Sequence, residues 1–260
     1  MGYAAVLLGP SMLLAVILLA LLIEKRHPLQ QQPSGASRFN LAYMVIYAAS
    51  GAMLAPLTAI VTVQLVNAAG GGFINLDASG WILAPAFIVY ALSMDFLEYA
   101  FHRVQHRVPA MWAMHSFHHS DTTMNASTTT RHYWAEAGIK ALSIYLLAGI
   151  LFKTNMVILG MYGILGLYHV FPHMNVRVGF GRYWMLFNSP QYHRVHHSAQ
   201  AEHFNRNFAG LFPVFDRLFG THHIPRAEEY PPTGLDTGKA PGTLLDALTW
   251  PVRSKAPSAP

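Results

Sequence analysis

The chain has 260 residues, of which 53% are hydrophobic, only 11% are charged and none is cysteine. The lack of thiols excludes disulfides, thiolate metal sites and iron–sulfur clusters, and so low a charge is unusual for a soluble domain. The net charge of +5 comes from basic residues beside apolar segments, which indicates an anionic membrane surface as partner and not a nucleic acid.

Three apolar segments in the first hundred residues predict transmembrane helices. They cover about residues 3–23, 41–66 and 81–101. The first segment lacks the basic start and the cleavage site of a signal peptide, so we expect an anchor. Lys25, Arg26 and Arg38 flank the first connection, and the positive-inside rule places that connection in the cytoplasm. Residues 1–101 should therefore form a membrane region whose third helix ends at the cytoplasmic face.

Two shorter apolar stretches, within about residues 137–171, predict a membrane hairpin that returns the chain to the face it left. Residues 102–230, which include this hairpin, are predicted to be a histidine-rich helical cap. Residues 231–260 are rich in Pro, Gly, Ser and Ala, which predicts an irregular tail. The expected fold is all-α, an integral membrane helical bundle with a cytosolic cap. The C-terminus should be cytoplasmic, and the lack of an evident retrieval signal favours a bacterial inner membrane.

Ten of the fifteen histidines fall into four clusters, and the predicted topology brings all four to one membrane face. An H-x3-H spacing places two imidazoles about one helical turn apart, and neutral imidazole is a common ligand of transition metals. Ten imidazoles are too many for one ion but match two ions with open positions. The sequence therefore predicts a dinuclear metal site. The candidate ligands are His102, His106, His115, His118, His119, His169, His173, His193, His196 and His197.

The composition of the clusters narrows the choice of metal. Structural zinc sites close with four ligands, commonly including cysteine, and magnesium and calcium prefer oxygen ligands. Copper remains compatible with imidazole. Two iron ions with a position open for dioxygen best match a membrane-embedded redox site that acts on inert C–H bonds.

Characteristic polar and aromatic residues surround the histidine clusters between about residues 90 and 222. In chain order the segments are Asp95-x6-His102-Arg103-x2-His106, Met111-Trp112-x2-His115-x2-His118-His119-Ser120-Asp121, Thr129-x-Arg131, His169-x3-His173-x-Asn175, Asn188-x-Pro190-x2-His193-x2-His196-His197-Ser198, Asn205-x-Asn207-Phe208 and Asp216-Arg217-Leu218-Phe219-Gly220-Thr221. As a set they resemble the fatty acid hydroxylase/sterol desaturase superfamily of integral membrane di-iron oxygenases.

The resemblance implies that the ten histidines hold two iron ions, which zinc can replace in purified protein. It further implies that dioxygen is a cosubstrate and that a lipid acyl, alkyl or sterol-like chain is hydroxylated or desaturated. A separate electron donor (a ferredoxin, cytochrome or reductase) is expected, because the chain has no redox cofactor motif of its own. Two alternatives remain open. One is a pterin-dependent, alkylglycerol-type ether-lipid monooxygenase, and the other is a zinc-binding membrane protein without oxidative activity.

No catalytic side chain is predicted beyond the metal centre, but several can orient its ligands, because metal-bound imidazoles usually donate their second N–H to a nearby acceptor. Asp95 and Glu98 share a helical face with His102 and are the first candidates. Asp121 can orient a ligand or cap the next helix. Asn175 and Asn188 can each bond a ligand or close a turn.

One motif departs from the sterol-type members, which carry R-x-H-P-x-E after the second cluster. Here Tyr133 and Trp134 stand where His and Pro are expected, so sterol specificity does not transfer. His132, beside these aromatic residues, is predicted to be a cap or packing residue. The histidines outside the pattern are predicted to be surface or interfacial residues. They are His27, His203, His222 and His223.

Overall fold

The computed structural model describes residues 3–253, with side chains from 9 to 252. The predicted all-α architecture is confirmed, since strands are confined to one two-residue pair within this part of the chain. The helices are α1 Tyr3–Arg26, α2 Arg38–Ala68, α3 Leu83–Arg107, α4 Pro109–His119, α5 Glu136–Lys140, α6 Leu146–Leu151, α7 Met156–Gly166, α8 Pro190–His196, α9 Val214–Leu218, α10 Leu244–Leu248 and α11 Trp250–Arg253; the strands are β1 Ile74–Asn75 and β2 Phe152–Lys153. Short 3₁₀ helices lie at Ala126–Thr130 and Leu167–His173.

Three helical stretches in the described part are long and apolar enough to cross a bilayer, namely Arg38–Ala68, Gly80–Arg107 and Met156–His173. The most apolar window of the first is only 6% buried within the protein, and Met53 on α2 is 80% exposed. Apolar surface this extensive is stable only in lipid or against another protein. The chain is thus an integral membrane protein.

The predicted segments 41–66 and 81–101 lie within two of these three stretches. The first predicted segment forms α1, although its side chains before residue 9 lie outside the described part. The second limb of the predicted hairpin is longer than its apolar residues suggest, because the 3₁₀ helix Leu167–His173 extends α7 to spanning length.

The first limb of the hairpin runs from α5 through a π-helical turn at Ala141–Tyr145 into α6, and it packs against α2. Close approach requires glycine at one point, because a Cβ on Gly149 would lie 2.9 Å from Val66. At the tip of the hairpin, β2 pairs in parallel with β1, and Gly72 N–H donates to Ile150 O at 2.8 Å. The loop before β1 and the hairpin tip therefore lie at the same end of the bundle.

The tail differs from the predicted irregular terminus. It contains α10 and α11, and Trp250 is only 4% exposed. The Trp250 indole N–H donates to Ser116 Oγ at 2.9 Å, and its ring packs against Phe117. A tryptophan ring is buried favourably when its N–H finds an acceptor, and composition alone does not reveal such an anchor. Residues 254–260 of the predicted tail lie outside the described residues.

Candidate metal centre

The structure gathers nine of the ten predicted ligands into two neighbouring groups, in each of which the ligand atoms lie within 4.8 Å of one another. We call the group of five histidines site A and the group of four site B. Site A contains His102, His106, His115, His119 and His196; site B contains His118, His173, His193 and His197. All of these residues are buried except His102, which is half-buried.

Each H-x-x-H-H motif contributes to both sites. At the end of α4, His118 belongs to site B and His119 to site A. At the end of α8, His196 belongs to site A and His197 to site B. Successive residues on a helix point about 100° apart, so adjacent imidazoles reach two different centres. The paired histidines thus place the two sites side by side.

The Nε2 atoms face each other at the separation expected for ligands of one ion. In site A, His102 and His115 approach to 2.9 Å, measured between Nε2 atoms. In site B, the corresponding distances from His193 are 3.1 Å to His173 and 3.2 Å to His197. Two nitrogens bound at right angles to one metal, with bonds of about 2.1 Å, are about 3 Å apart.

The positions of the imidazole protons show why a cation fits between the rings. Nδ1 of His102 lies 2.7 Å from Phe208 O, and Nδ1 of His196 lies 2.8 Å from Arg206 O. Because a carbonyl only accepts, Nδ1 carries the proton and Nε2 of the neutral ring is a bare acceptor. His196 Nε2 is buried and has no hydrogen-bond partner. A metal ion supplies the partner that this nitrogen lacks, so the residues fit a metal centre.

Burial also keeps the ligands in the form that binds metal. It lowers the pKa of His196 to about 4. Burial, together with the repulsion from neighbouring imidazolium charges, holds the pKa of His119 in site A and of His193 and His197 in site B well below 6.5. These four imidazoles, two from each site, are therefore neutral near pH 7, and neutral imidazole is the ligand form.

Two buried carboxylates, Asp216 and Asp95, hold the loop whose backbone carbonyls orient the site A imidazoles. Asp216 accepts hydrogen bonds from the backbone N–H groups of Phe208 and Ala209 at 2.8 and 2.9 Å. It also accepts from the hydroxyl groups of Tyr192 and Thr221. Asp216 belongs to a sequence motif, but the motif does not reveal its role, because its backbone partners lie seven and eight residues earlier in the chain and meet it only in the fold.

The predicted orienting roles of Asp95 and Glu98 are not what the structure shows. Asp95 accepts hydrogen bonds from the N–H groups of Leu211 and Phe212, both at 2.9 Å, so it braces the same loop instead of bonding His102. Glu98 forms an ion pair with Lys140 at 2.8 Å. A shared helical face places a side chain near a ligand, but the loop that packs there takes up the hydrogen bonds.

Asp121 neither caps a helix nor orients a histidine. It accepts from Asn40 Nδ2 at 2.9 Å and from Thr128 Oγ1 at 2.7 Å, while Asn125 caps the following 3₁₀ helix.

Asn175 takes neither of its two expected roles, because its side chain bonds both backbone groups of Gln30, 145 residues away in the connection between α1 and α2. Asn188 contacts a ligand, one of its two expected roles, but does not close a turn. Its Nδ2 lies 3.4 Å from His193 Nδ1 and donates to Ala209 O at 2.8 Å. Asn188 therefore connects a site B ligand to the loop that supports site A.

His169 belongs to neither site, although it lines the cavity beside them. His132, predicted to be a cap or packing residue, stacks on His118 with ring centroids 4.8 Å apart. Its Nδ1 lies 3.1 Å from Glu136 Oε1, and these two residues form a further potential metal-binding group with His115. The motif spacing revealed the arginine and glutamate of this segment, but the contact between His132 and Glu136 requires the fold.

A cavity of about 280 Å³ opens onto histidines of both sites and contains the Glu98–Lys140 ion pair. A second cavity of about 490 Å³ lies between α3, α6 and α7 and is lined mainly by apolar residues. Tyr145, Tyr162 and Gly166 line both cavities. The polar cavity at the histidines thus adjoins an apolar cavity among helices whose outer faces are exposed.

The fold and the paired histidine groups define a class of membrane protein with a polyhistidine cap at the end of its helices. The profile of the fatty acid hydroxylase family matches residues 87–221, just over half of the chain, and the chain belongs to this family. The matched region begins within α3 and contains all ten clustered histidines.

Several curated proteins are similar to the chain. Alkylglycerol monooxygenase of Homo sapiens is 32% identical over 55% of this chain, and that of Caenorhabditis elegans is 29% identical over 61%. The chain spans only 31% of the length of each of these two relatives. Ornithine lipid hydroxylase OlsE of Rhizobium tropici is 27% identical over 67% of this chain and 53% of its own length. No solved structure matches the chain significantly.

Proposed function

We propose that the chain is a membrane-bound oxygenase that hydroxylates a lipid at a di-iron centre formed by sites A and B. The observation that carries this proposal is the pair of buried, neutral histidine groups facing one cavity that adjoins an apolar cavity between membrane helices. The names of the relatives, a monooxygenase and a lipid hydroxylase, support it. Membership of the fatty acid hydroxylase family is consistent with the geometry of the site and with these names.

In this proposal the nine grouped histidines hold the two ions, and His169 lines the substrate cavity. When bound, two iron ions would use dioxygen and external electrons to oxidise a C–H bond. The carbonyl groups of Phe208 and Arg206 keep the site A imidazoles in the tautomer that presents Nε2. The apolar lining beyond Tyr162 excludes water from the bound chain.

The two cavities suggest how a lipid would bind. Its hydrocarbon chain would occupy the apolar cavity, and its polar end would lie near the Glu98–Lys140 pair in the polar cavity. The side chains of this ion pair are only 21% and 19% exposed, and a polar substrate group that contacts them would offset part of their desolvation cost. We therefore expect oxidation close to the polar end of the lipid.

The test is a comparison of lipid extracts from cells with and without the gene, by mass spectrometry. A new lipid species heavier by about 16 mass units indicates hydroxylation, and one lighter by about 2 units indicates desaturation. Metal analysis should find about two irons per chain at these two sites. Zinc that functional iron cannot replace, with no change in the lipids, would instead support the non-oxidative alternative.

A second candidate is an ether-lipid monooxygenase, favoured by the similarity to alkylglycerol monooxygenases. An ether oxygen at the polar end of an alkyl chain would fit the same pair of cavities. Product formation with and without a tetrahydropterin separates the candidates, since only the second requires the pterin.

We further propose that the cap faces the cytoplasm of a bacterium, at the inner membrane, and receives electrons from a separate protein. Lys25, Arg26 and Arg38 lie between α1 and α2, which supports this orientation by the positive-inside rule. Labelling of a cysteine introduced at Lys25 in intact and in permeabilised cells tests the orientation. Turnover with a nicotinamide cofactor alone would contradict the need for a separate donor.

A further inference from the structure

A third cluster of ligand-type side chains lies in the cap, outside sites A and B. His203 ends a short 3₁₀ helix, whereas His223 and Glu229 lie in the loop after α9, and the ligand atoms of the three residues lie within 4.8 Å of one another. Nε2 of His203 and Nε2 of His223 lie 3.0 and 2.7 Å from the same oxygen, Glu229 Oε1. The two rings are inclined by 68°, so both direct an edge to one point instead of stacking.

The opposite end of two of these side chains is already held. His203 Nδ1 lies 2.9 Å from Ser198 Oγ, which also accepts the Gln200 N–H. Glu229 Oε2 accepts the Arg226 N–H at 2.8 Å. Metal ligands are commonly oriented in this way by a bond to the atom that does not bind the ion. The arrangement leaves two imidazole nitrogens and one carboxylate oxygen directed at a common position.

We propose that His203, His223 and Glu229 form a third metal site, separate from sites A and B, for a divalent ion of the zinc type. Two imidazoles and one carboxylate form a familiar ligand set for zinc, and water can complete the coordination. His203 is 4% exposed, whereas the side chains of His223 and Glu229 are 31% and 21% exposed. One side of the site is therefore open, and the ion is exchangeable.

The position of this site gives the ion a structural effect on site A. The backbone N–H of His223 donates to Asn207 Oδ1 at 2.7 Å, and Asn207 has a left-handed backbone with φ of 58°. The neighbouring Arg206 carbonyl orients His196 of site A. An ion bound by His203 and His223 therefore ties together both ends of the segment that carries this carbonyl. Its removal should loosen the segment without removing a site A or site B ligand.

The test is the number of ions bound per chain by the full-length protein, measured by elemental analysis after incubation with zinc and gel filtration. The variants are His203→Gln, His223→Gln and Glu229→Gln, and the matched control is His222→Gln. His222 adjoins His223 in sequence, stacks on Trp184 and belongs to none of the potential metal-binding groups within the described residues. We expect three ions per chain in the wild type and the control, and two in each of the three variants.

Glu229→Gln also distinguishes a metal site from a cluster held only by hydrogen bonds. Glutamine retains an acceptor oxygen, so the variant should keep its shape, but it is a poor zinc ligand. Micromolar zinc should raise the melting temperature of the wild type and of His222→Gln by several degrees more than that of Glu229→Gln. Equal ion counts in the wild type and all variants, or equal stabilisation by zinc, would overturn the proposal. Neither result would bear on lipid oxidation, which is tested through sites A and B.

Discussion

Sites A and B share their helices but differ in what holds their imidazoles in place. In site A, His102 and His196 are oriented by carbonyls of a distant loop, which Asp216 fixes. In site B, His173 Nδ1 lies 2.7 Å from the carbonyl of His169, one turn earlier on the same helical segment. Site A therefore depends on tertiary structure around it, whereas site B is partly organised by local helix geometry. Substitutions that act through the loop should distinguish the two sites.

The largest effect should come from substituting the adjacent ligands His196 and His197 separately by alanine. His196→Ala should remove the ion of site A and His197→Ala the ion of site B, because the two rings serve different groups. Lipid oxidation should fall by at least about 100-fold in both, since a dinuclear centre needs both ions. Elemental analysis and product formation check this, with His222→Ala as a nearly silent control. Full activity in either variant would contradict the assignment of that ligand.

Substitution of Asp216 by asparagine should weaken site A more than site B. Asparagine has one acceptor oxygen where the carboxylate accepts four hydrogen bonds, so the loop bearing the Phe208 carbonyl should loosen. Loss of such an outer partner usually lowers metal affinity about 10- to 100-fold. Chelator competition should release the site A ion early and leave the release of the site B ion unchanged. Glu228→Gln, at an exposed position, is the control, and equal weakening of both sites would show that the loop does not favour site A.

The sequence alone indicates the histidines and their destination but not how they divide. Helical spacing and topology predict that all four clusters meet, and the resemblance to the fatty acid hydroxylases is confirmed by the family match. The division of His118 and His119 between two sites depends on the direction of the α4 end, which spacing does not reveal. The role of Asp216 depends on backbone donors brought together by tertiary structure, and the same is true of Asp95. Such partners have no side-chain signature.

The apolar cavity, unlike the two metal sites, is predicted to determine the length of the lipid chain, which Gly163→Leu tests. Gly163 lines this cavity, and a Cβ at its position would meet open space, so a leucine side chain can enter the cavity without a clash. We expect a shift of several fold toward shorter lipid chains, with both ions retained. Gly160→Leu is the matched control, because Gly160 lies one turn earlier with equal space but does not line the cavity. An equal shift in both variants would indicate a general effect on α7.

His169→Ala should have a smaller effect than any ligand substitution. His169 lines the polar cavity but belongs to neither site, and it orients His173 through its backbone carbonyl, which alanine retains. Both ions should remain, and activity should fall less than about tenfold. Elemental analysis alongside His173→Ala, which should lose the site B ion, checks this difference. Loss of an ion from His169→Ala would instead return His169 to the ligand set that the sequence predicts.

Acid should affect the two sites alike, in contrast to the Asp216 substitution. Burial lowers the pKa of His196 in site A to about 4 and holds the pKa of His193 in site B well below 6.5. The unfolded chain, with ordinary pKa values, takes up protons first as the pH falls, so each buried neutral imidazole stabilises the metal-free fold fully above about pH 6.5. That contribution declines toward pH 4, where His196 itself becomes protonated. Melting temperatures of metal-free protein across this range should therefore fall, and His196→Gln and His193→Gln should reduce the slope by similar amounts. A reduction in only one variant would show that the two sites differ in desolvation as well as in their support.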